Sequence, residues 1–288
     1  MPPIVYYILL CILLTGVPCR AADVLIIADV QLKPVTEVTQ GMRKTLRAST
    51  KTYSPSEVHG NLSAVLMREN ARVVIALGRE ALAEALTLPA TIPVIYGMVV
   101  TPPAINRPNT LGFYMATPTD EYAELVRKHL PAMKRVAVVA SRDFLNVLSG
   151  SISTPLSAHT VKNTVEFVSA LKQMDSVDAV LLLPDSGMMS STAMEEAFLF
   201  SFRRRIPLLG ISERHVREGA LLALVVDMVN VGRIIGEYAT KALKSGNVGQ
   251  QSALAPRKFE LFLNMDTARK MRINIPDEVV RMARKAYP

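Results

Sequence analysis

Short, unbroken apolar runs recur along this chain, and nearly every one is followed by a stretch with helical spacing. VLIIAD (24–29), RVVIAL (72–77), PVIYGM (93–98), RVAVVA (135–140), AVLLL (179–183), IPLLGI (206–211) and ALLALVVD (220–227) are all of this kind. Apolar residues without alternation over so short a length read as a strand buried on both faces. Between the runs, Val35, Val38, Met42 and Leu46 share one helical face within 35–48, and REALAEAL (79–86) consists of strong helix formers. Helical patterns also cover 119–129, 165–174, 191–205 and 228–244. Such alternation predicts βαβ units and parallel sheets, so the fold class is α/β. The cycle starts again at Thr117, which predicts two Rossmann-like, doubly wound lobes. KFELFL (258–263) alternates polar and apolar and reads as an edge strand. After it come a helix capped by Asn264 or Asp266 and a second opening at Pro276, with Asp277 and Glu278 in its first turn.

The first apolar run is different. IVYYILLCILLTGV (4–17) precedes Pro18 and the small residues Ala21 and Ala22, the pattern of a secretory leader cleaved after Ala21. It is shorter than the roughly 20 residues of a spanning helix. The expected location is therefore the periplasm or cell envelope; a retained anchor and a lipid on Cys19 stay open. Both cysteines, Cys11 and Cys19, lie in the leader. The mature chain is expected to have neither a disulfide nor a thiol nucleophile, and half of all residues are hydrophobic, enough for an ordinary large core. The net charge of +8 arises from Lys and Arg scattered among 25 acids, with no Trp. That is a solvated basic surface rather than a nucleic-acid platform. The cluster Arg203-Arg204-Arg205 closes a helical pattern, where cations complement the helix dipole.

Open parallel sheets bind ligands at the carboxyl ends of their strands, where helices begin. That selects Gln31 after the first run, Gly78 and Arg79 after the second, and Thr101 after the third. It then selects Ser141 and Arg142, Asp185 and Ser186, Ser212, and Asp227 after the remaining four. Together they predict a cleft for a small polar ligand, although each alone is equally well explained as a helix cap. Arg142 suits a bidentate bond to a carboxylate, and Asp185 suits an amine. Catalysis has no comparable signature. The four histidines, His59, His129, His159 and His215, have no metal-ligand spacing, and neither GxSxG nor GxGxxG occurs. Ser141 lacks an adjacent base. No enzyme activity, metal or cofactor is expected, and the leader stands where a repressor would carry its helix-turn-helix.

The order of the pieces is familiar. RVVIAL, Gly78 and a helix, then IPVIYGMVVTPP, NTLGF, a helix ending in LPAMKRVAVV, and DAVLLLPDS resemble the ABC-transporter substrate-binding family related to tryptophan- and tyrosine-type periplasmic binding proteins. The tail, GALLALVVDMVNVGRIIGEYATKALKSGN followed by KFELFLNMDTARKMRINIPDEVVRMA, is similar to the same family. The resemblance implies a type I periplasmic-binding-protein fold, with two lobes that close on a ligand and deliver it to a membrane permease. It further implies that the helix from Met228 crosses back to the first lobe while KFELFL returns to the second. The expected division is a leader (1–21), lobe I (23–116 plus 226–255) and lobe II (117–225 plus 256–288). The family usually has Thr-Asp-Pro where this chain has Thr101-Pro102-Pro103, and Thr-Asp-Asn where it has Asp185-Ser186-Gly187. The ligand class therefore stays open between an amino acid and another small polar solute. The expected function is a monomeric, exported solute-binding component of an ABC-type uptake system; the alternative is an envelope sensor or scaffold of the same fold.

Overall fold

The computed structural model describes residues 22–101, 103–148, 155–185, 187–249 and 253–288. The leader (1–21), Pro102 and Ser186 lie outside the described residues.

The first apolar run forms β1 (Val24–Ala28), buried at every position as a two-face strand requires. It leads into α1 (Lys33–Met42), which has Pro34 in its first turn and buries Val35, Val38 and Met42. The expected helix ran on to Ala48; the chain leaves it at Met42, yet Leu46 still enters the core. A polar strand, β2 (Thr50–Tyr53), and two helices, α2 (Pro55–Val58) and α3 (Leu62–Glu69), come next. Then follow β3 (Val73–Leu77), α4 (Arg79–Ala85), β4 (Val94–Val99) and β5 (Thr110–Tyr114). The strands form one parallel sheet in the order β2-β1-β3-β4-β5.

The cycle restarts with α5 (Thr119–His129), β6 (Val136–Ala140), α6 (Arg142–Leu148), β7 (Leu156–Thr160), α7 (Thr164–Lys172) and β8 (Ala179–Leu182). It continues through α8 (Ser191–Arg204), β9 (Leu208–Gly210), α9 (Glu213–Glu218) and β10 (Leu222–Val226). After the long α10 (Met228–Ser245), the chain closes with β11 (Phe259–Asn264), α11 (Met265–Met271), α12 (Asp277–Met282) and β12 (Lys285–Tyr287). The second sheet has seven strands in the order β12-β11-β10-β9-β8-β6-β7. All its neighbours are parallel except β10 and β11. β11 is not the edge strand its alternation predicted, because β12 pairs along its outer side from Phe262 to Asn264.

Each sheet has its own buried clusters on both faces. The helix α10 follows β10 of the second sheet but packs on the first, seating Val231, Ile235 and Ala239 in the cluster over β1 and β3. Close approach to α1 makes this seating possible. A Cβ on Gly232 would stand 1.9 Å from the carbonyl oxygen of Val38, and Thr45 Oγ1 donates to the Arg233 carbonyl at 2.7 Å. The chain passes between the sheets beside β5, after β10 and before β11. Hydrogen bonds tie these passages together: Thr117 Oγ1 donates to the Leu224 carbonyl at 2.9 Å, and the Asp227 N–H to the Lys258 carbonyl at 3.0 Å. Tyr122 stands wholly buried beneath them. Its hydroxyl donates to the Gly210 carbonyl at 2.6 Å and accepts the Leu224 N–H at 3.1 Å, and burial pushes its pKa up.

Candidate functional site

The strand order sets the candidate residues in two rows. Along the first sheet, the ends of β1, β3 and β4 lie side by side and carry Gln31, Gly78 with Arg79, and Thr101. Along the second, the ends of β6, β8, β9 and β10 carry Ser141 with Arg142, Asp185, Ser212 and Asp227.

In the first row, the Gln31 N–H donates to Asp29 Oδ1 at 3.0 Å, so Asp29 shapes the turn and the Gln31 side chain stays exposed. Gly78 opens α4 with φ +105, a conformation that a side chain would strain. It thereby turns the chain so that Arg79 becomes the first helical residue. Arg79 is exposed and has no ionic or hydrogen-bonding partner among the described residues. β4 ends in an irregularity: its register with β5 shifts between Tyr96 and Val99, and Met98 takes a left-handed φ of +59. A bulge with a non-glycine residue in that region is a stored local distortion of the kind found beside binding sites. It brings Thr101 to a half-buried position. Val30, Leu32 and Val100, which follow the apolar runs at their carboxyl ends, emerge exposed on this same edge.

In the second row, Ser141 and Asp185 are in direct contact. Asp185 Oδ2 accepts the Ser141 N–H at 3.0 Å, and Oδ1 accepts the Gly187 N–H at 3.1 Å. The Ser141 hydroxyl accepts the Phe144 N–H at 3.3 Å, so it caps α6. Both side chains therefore shape the edge and do not form a nucleophile and base. Asp185, expected to meet an amine, is buried and already committed to two backbone donors. Arg142, at the start of α6, is exposed and without an ionic partner among the described residues. Ser212 caps α9 by accepting the His215 N–H at 3.2 Å, and burial lowers the pKa of that histidine, keeping its ring neutral. Asp227 caps α10 through the Asn230 N–H at 2.9 Å and pairs with Lys258 Nζ at 3.3 Å. It sits at a passage between the sheets, where its N–H also bonds the Lys258 carbonyl at 3.0 Å.

A crevice of about 570 Å3 runs between the two halves, bounded by Lys33 and Glu37 of α1 on one side and by Glu213, Glu260 and Lys285 on the other. Glu213 follows Ser212 at the end of β9, one of the strand-end positions the topology singles out. Its carboxylate accepts the Tyr287 hydroxyl and lies 3.9 Å from Lys285 Nζ, both on β12, and nothing in the sequence pairs those distant positions. A larger hollow of about 710 Å3, lined by His129, Met133, Arg205 and Arg272, lies at the opposite, amino-terminal end of the second sheet. Among the described residues there is no group of His, Cys, Asp or Glu placed to hold a metal ion. No described helix is long and apolar enough to cross a membrane.

Two sheets dominated by parallel pairing, each with its row of strand ends and joined by crossing segments, are the architecture of type I periplasmic binding proteins. The chain is similar in structure to a substrate binding protein with adhesive properties from Clostridium difficile in a ligand-free, open form, with a TM-score of 0.69 and 14% identity over 92% of this chain and 99% of that one. A conserved domain protein from Vibrio cholerae matches with a TM-score of 0.59 and 18% identity over 93% and 100% of the two chains. An ABC domain from Streptococcus pneumoniae in complex with L-Trp matches with a TM-score of 0.56 and 17% identity over 91% and 99%. No curated protein matches the chain significantly. The family model described as ABC transporter substrate binding protein matches residues 39–287. That match takes in the first sheet from β2 onward, the whole second sheet and all three passages between them, and the chain belongs to the ABC transporter substrate-binding protein family.

Proposed function

We propose that the chain is the exported solute-binding component of an ABC uptake system and that it holds a small carboxylate-bearing solute between its two rows of strand ends. The observation that carries this reading is a pair of exposed guanidinium groups with no ionic partner among the described residues, Arg79 on the first edge and Arg142 on the second. Each stands at the first residue of a helix, where the macrodipole also favours negative charge. Guanidinium binds carboxylate through two parallel hydrogen bonds. A solute contacting one from each half would draw the halves together, shifting an open and closed equilibrium that a permease reads. Asp185 is occupied by backbone donors, which argues against a strong ammonium contact at that position. Val30, Leu32 and Val100 favour a ligand with an apolar part.

The test is a thermal-shift and calorimetric screen of the protein against mono- and dicarboxylates, amino acids, sugars and nucleosides. A carboxylate at 100 times its Kd should stabilise the fold by about 2.7 kcal/mol. Arg79→Ala and Arg142→Ala should each weaken that ligand at least tenfold, the loss of one charge-assisted contact of roughly 1.5 to 3 kcal/mol. A screen in which only neutral sugars bind, or in which both variants keep full affinity, would overturn the reading.

A further inference from the structure

α10 shows two faces. One, carrying Gly232, Ile235, Gly236 and Ala239, is buried on the first half of the protein. The other carries Asn230, Arg233, Ile234, Glu237, Tyr238 and Lys241 at helical spacing and forms one wall of a groove of about 470 Å3. The second wall is the passage leading to β11. It begins where Leu254 pairs beside Phe113 of β5 and runs on through Arg257 and Lys258. The groove lies outside the two rows of strand ends, and none of the candidate ligand residues lines it.

Four cations, Arg233, Lys241, Arg257 and Lys258, face this groove with a single acid, Glu237. Two of the four are held. Arg233 bonds Glu237 and Asn230 along the helix, and Lys258 pairs with Asp227. The other two are not. Lys241 Nζ rests 5.1 Å from the centre of the Tyr238 ring, and Arg257 has no ionic partner among the described residues. Tyr238 is itself fixed by an edge contact with Phe113, ring centres 5.7 Å apart. Apolar surface from Phe113, Ile234 and Leu254 lies alongside. A volume of this size suits a small organic ligand.

We propose that this groove is a second binding site, and that it takes a phosphate-bearing ligand whose charge meets Lys241 and Arg257 while its organic part lies against Tyr238 and Leu254. A phosphate monoester carries close to two negative charges at neutral pH and presents several acceptor oxygens, matching Lys241 and Arg257, which have no ionic partner among the described residues, better than a single carboxylate does. Phosphate oxygens are offered by a soluble sugar or glycerol phosphate, as a monoester, and by the headgroup of an anionic phospholipid, as a singly charged diester.

The experiment has two arms, both with the full chain. In one, glycerol 3-phosphate is titrated by calorimetry; in the other, flotation compares vesicles of phosphatidylglycerol with vesicles of phosphatidylcholine. Each is repeated with Lys241→Glu plus Arg257→Glu, with the milder Lys241→Gln plus Arg257→Gln, and with Arg203→Glu plus Arg217→Glu as a control of equal charge change on the other half. Binding in either arm that falls at least tenfold in both groove variants, and less than twofold in the control, supports the site; two lost charge-assisted contacts require at least that much. The soluble arm then points to a free phosphate and the vesicle arm alone to a headgroup. Failure of both probes, groove variants that bind like the unaltered chain, or a control that loses as much as they do would overturn the proposal. Unchanged melting temperatures exclude unfolding as the cause of a loss, and the Gln pair keeps the test open if charge reversal unfolds the chain.

Discussion

The carboxylate of Asp185 accepts the backbone N–H of Ser141 across 3.0 Å, joining the ends of two neighbouring strands, β6 and β8. With its other oxygen on Gly187, it holds the turns from which Arg142 and the start of α8 are presented. Asp185→Ala leaves two donors without their acceptor. An unmade hydrogen bond at a buried site costs about 1 to 3 kcal/mol. The expected outcome is a fall in the urea midpoint with an unchanged slope, together with weaker ligand binding because Arg142 is no longer held in place. Asp185→Asn keeps one accepting oxygen and should fall between the two. Full stability in the alanine variant would show that the contact carries no weight.

Gly232 and Val38 set how closely α10 approaches α1. Because an added methyl would stand 1.9 Å from the Val38 carbonyl oxygen, Gly232→Ala must push the helices apart. Overpacking of this sort costs about 1 to 3 kcal/mol, occasionally more. The gain in helix propensity from Gly to Ala, up to about 1 kcal/mol, offsets only part of it. Chemical denaturation of the variant should show the net loss, and a stabilised variant would contradict the packing.

Acid should act on the protein partly through Glu69. Its nearly buried carboxylate accepts the Tyr53 hydroxyl at 2.6 Å, Lys51 Nζ at 2.9 Å and Arg68 Nε at 3.1 Å. Those partners, Tyr53 first, hold its pKa at about 2, against an ordinary value of 4.5. A folded-state pKa below the unfolded one gives stability that is fully present above pH 4.5 and is lost as pH falls through about 2. Glu69→Gln should therefore be less stable than the parent at neutral pH, and the difference should shrink as pH falls across that window. Parallel stability curves for the two proteins would exclude the linkage.

The parts of the fold legible in the sequence are those whose burial is one-sided in composition. β1, β3, β6 and β8 are buried throughout, so their residues have no reason to be polar. The expected helix 119–129 matches α5 end to end, because acids open it and cations close it. β2 and β7 escaped notice because TKTY and LSAHT are mostly exposed, and β12 because it is three residues of polar chain recruited by β11. At the site, strand ends are predictable from topology, but what each side chain faces there is not. The bond from Ser141 to Asp185 joins residues 44 positions apart.

The position of β12 bears on how this protein meets its own copies. An open sheet edge is a template on which another chain can add a strand. β12 stands on one edge of the second sheet with Lys285 and Ala286 exposed, and β7 closes the other with four of its five residues exposed. β2, with Lys51, borders the first sheet, while β5 is already engaged by Leu254 through Gly112 and Tyr114. Short, mostly polar borders, two of them bearing lysine, offer little to a stacking neighbour, and the paired apolar strands are kept inside. Such borders disfavour strand addition between copies edge to edge, which leaves the side-chain surfaces as the route for specific association.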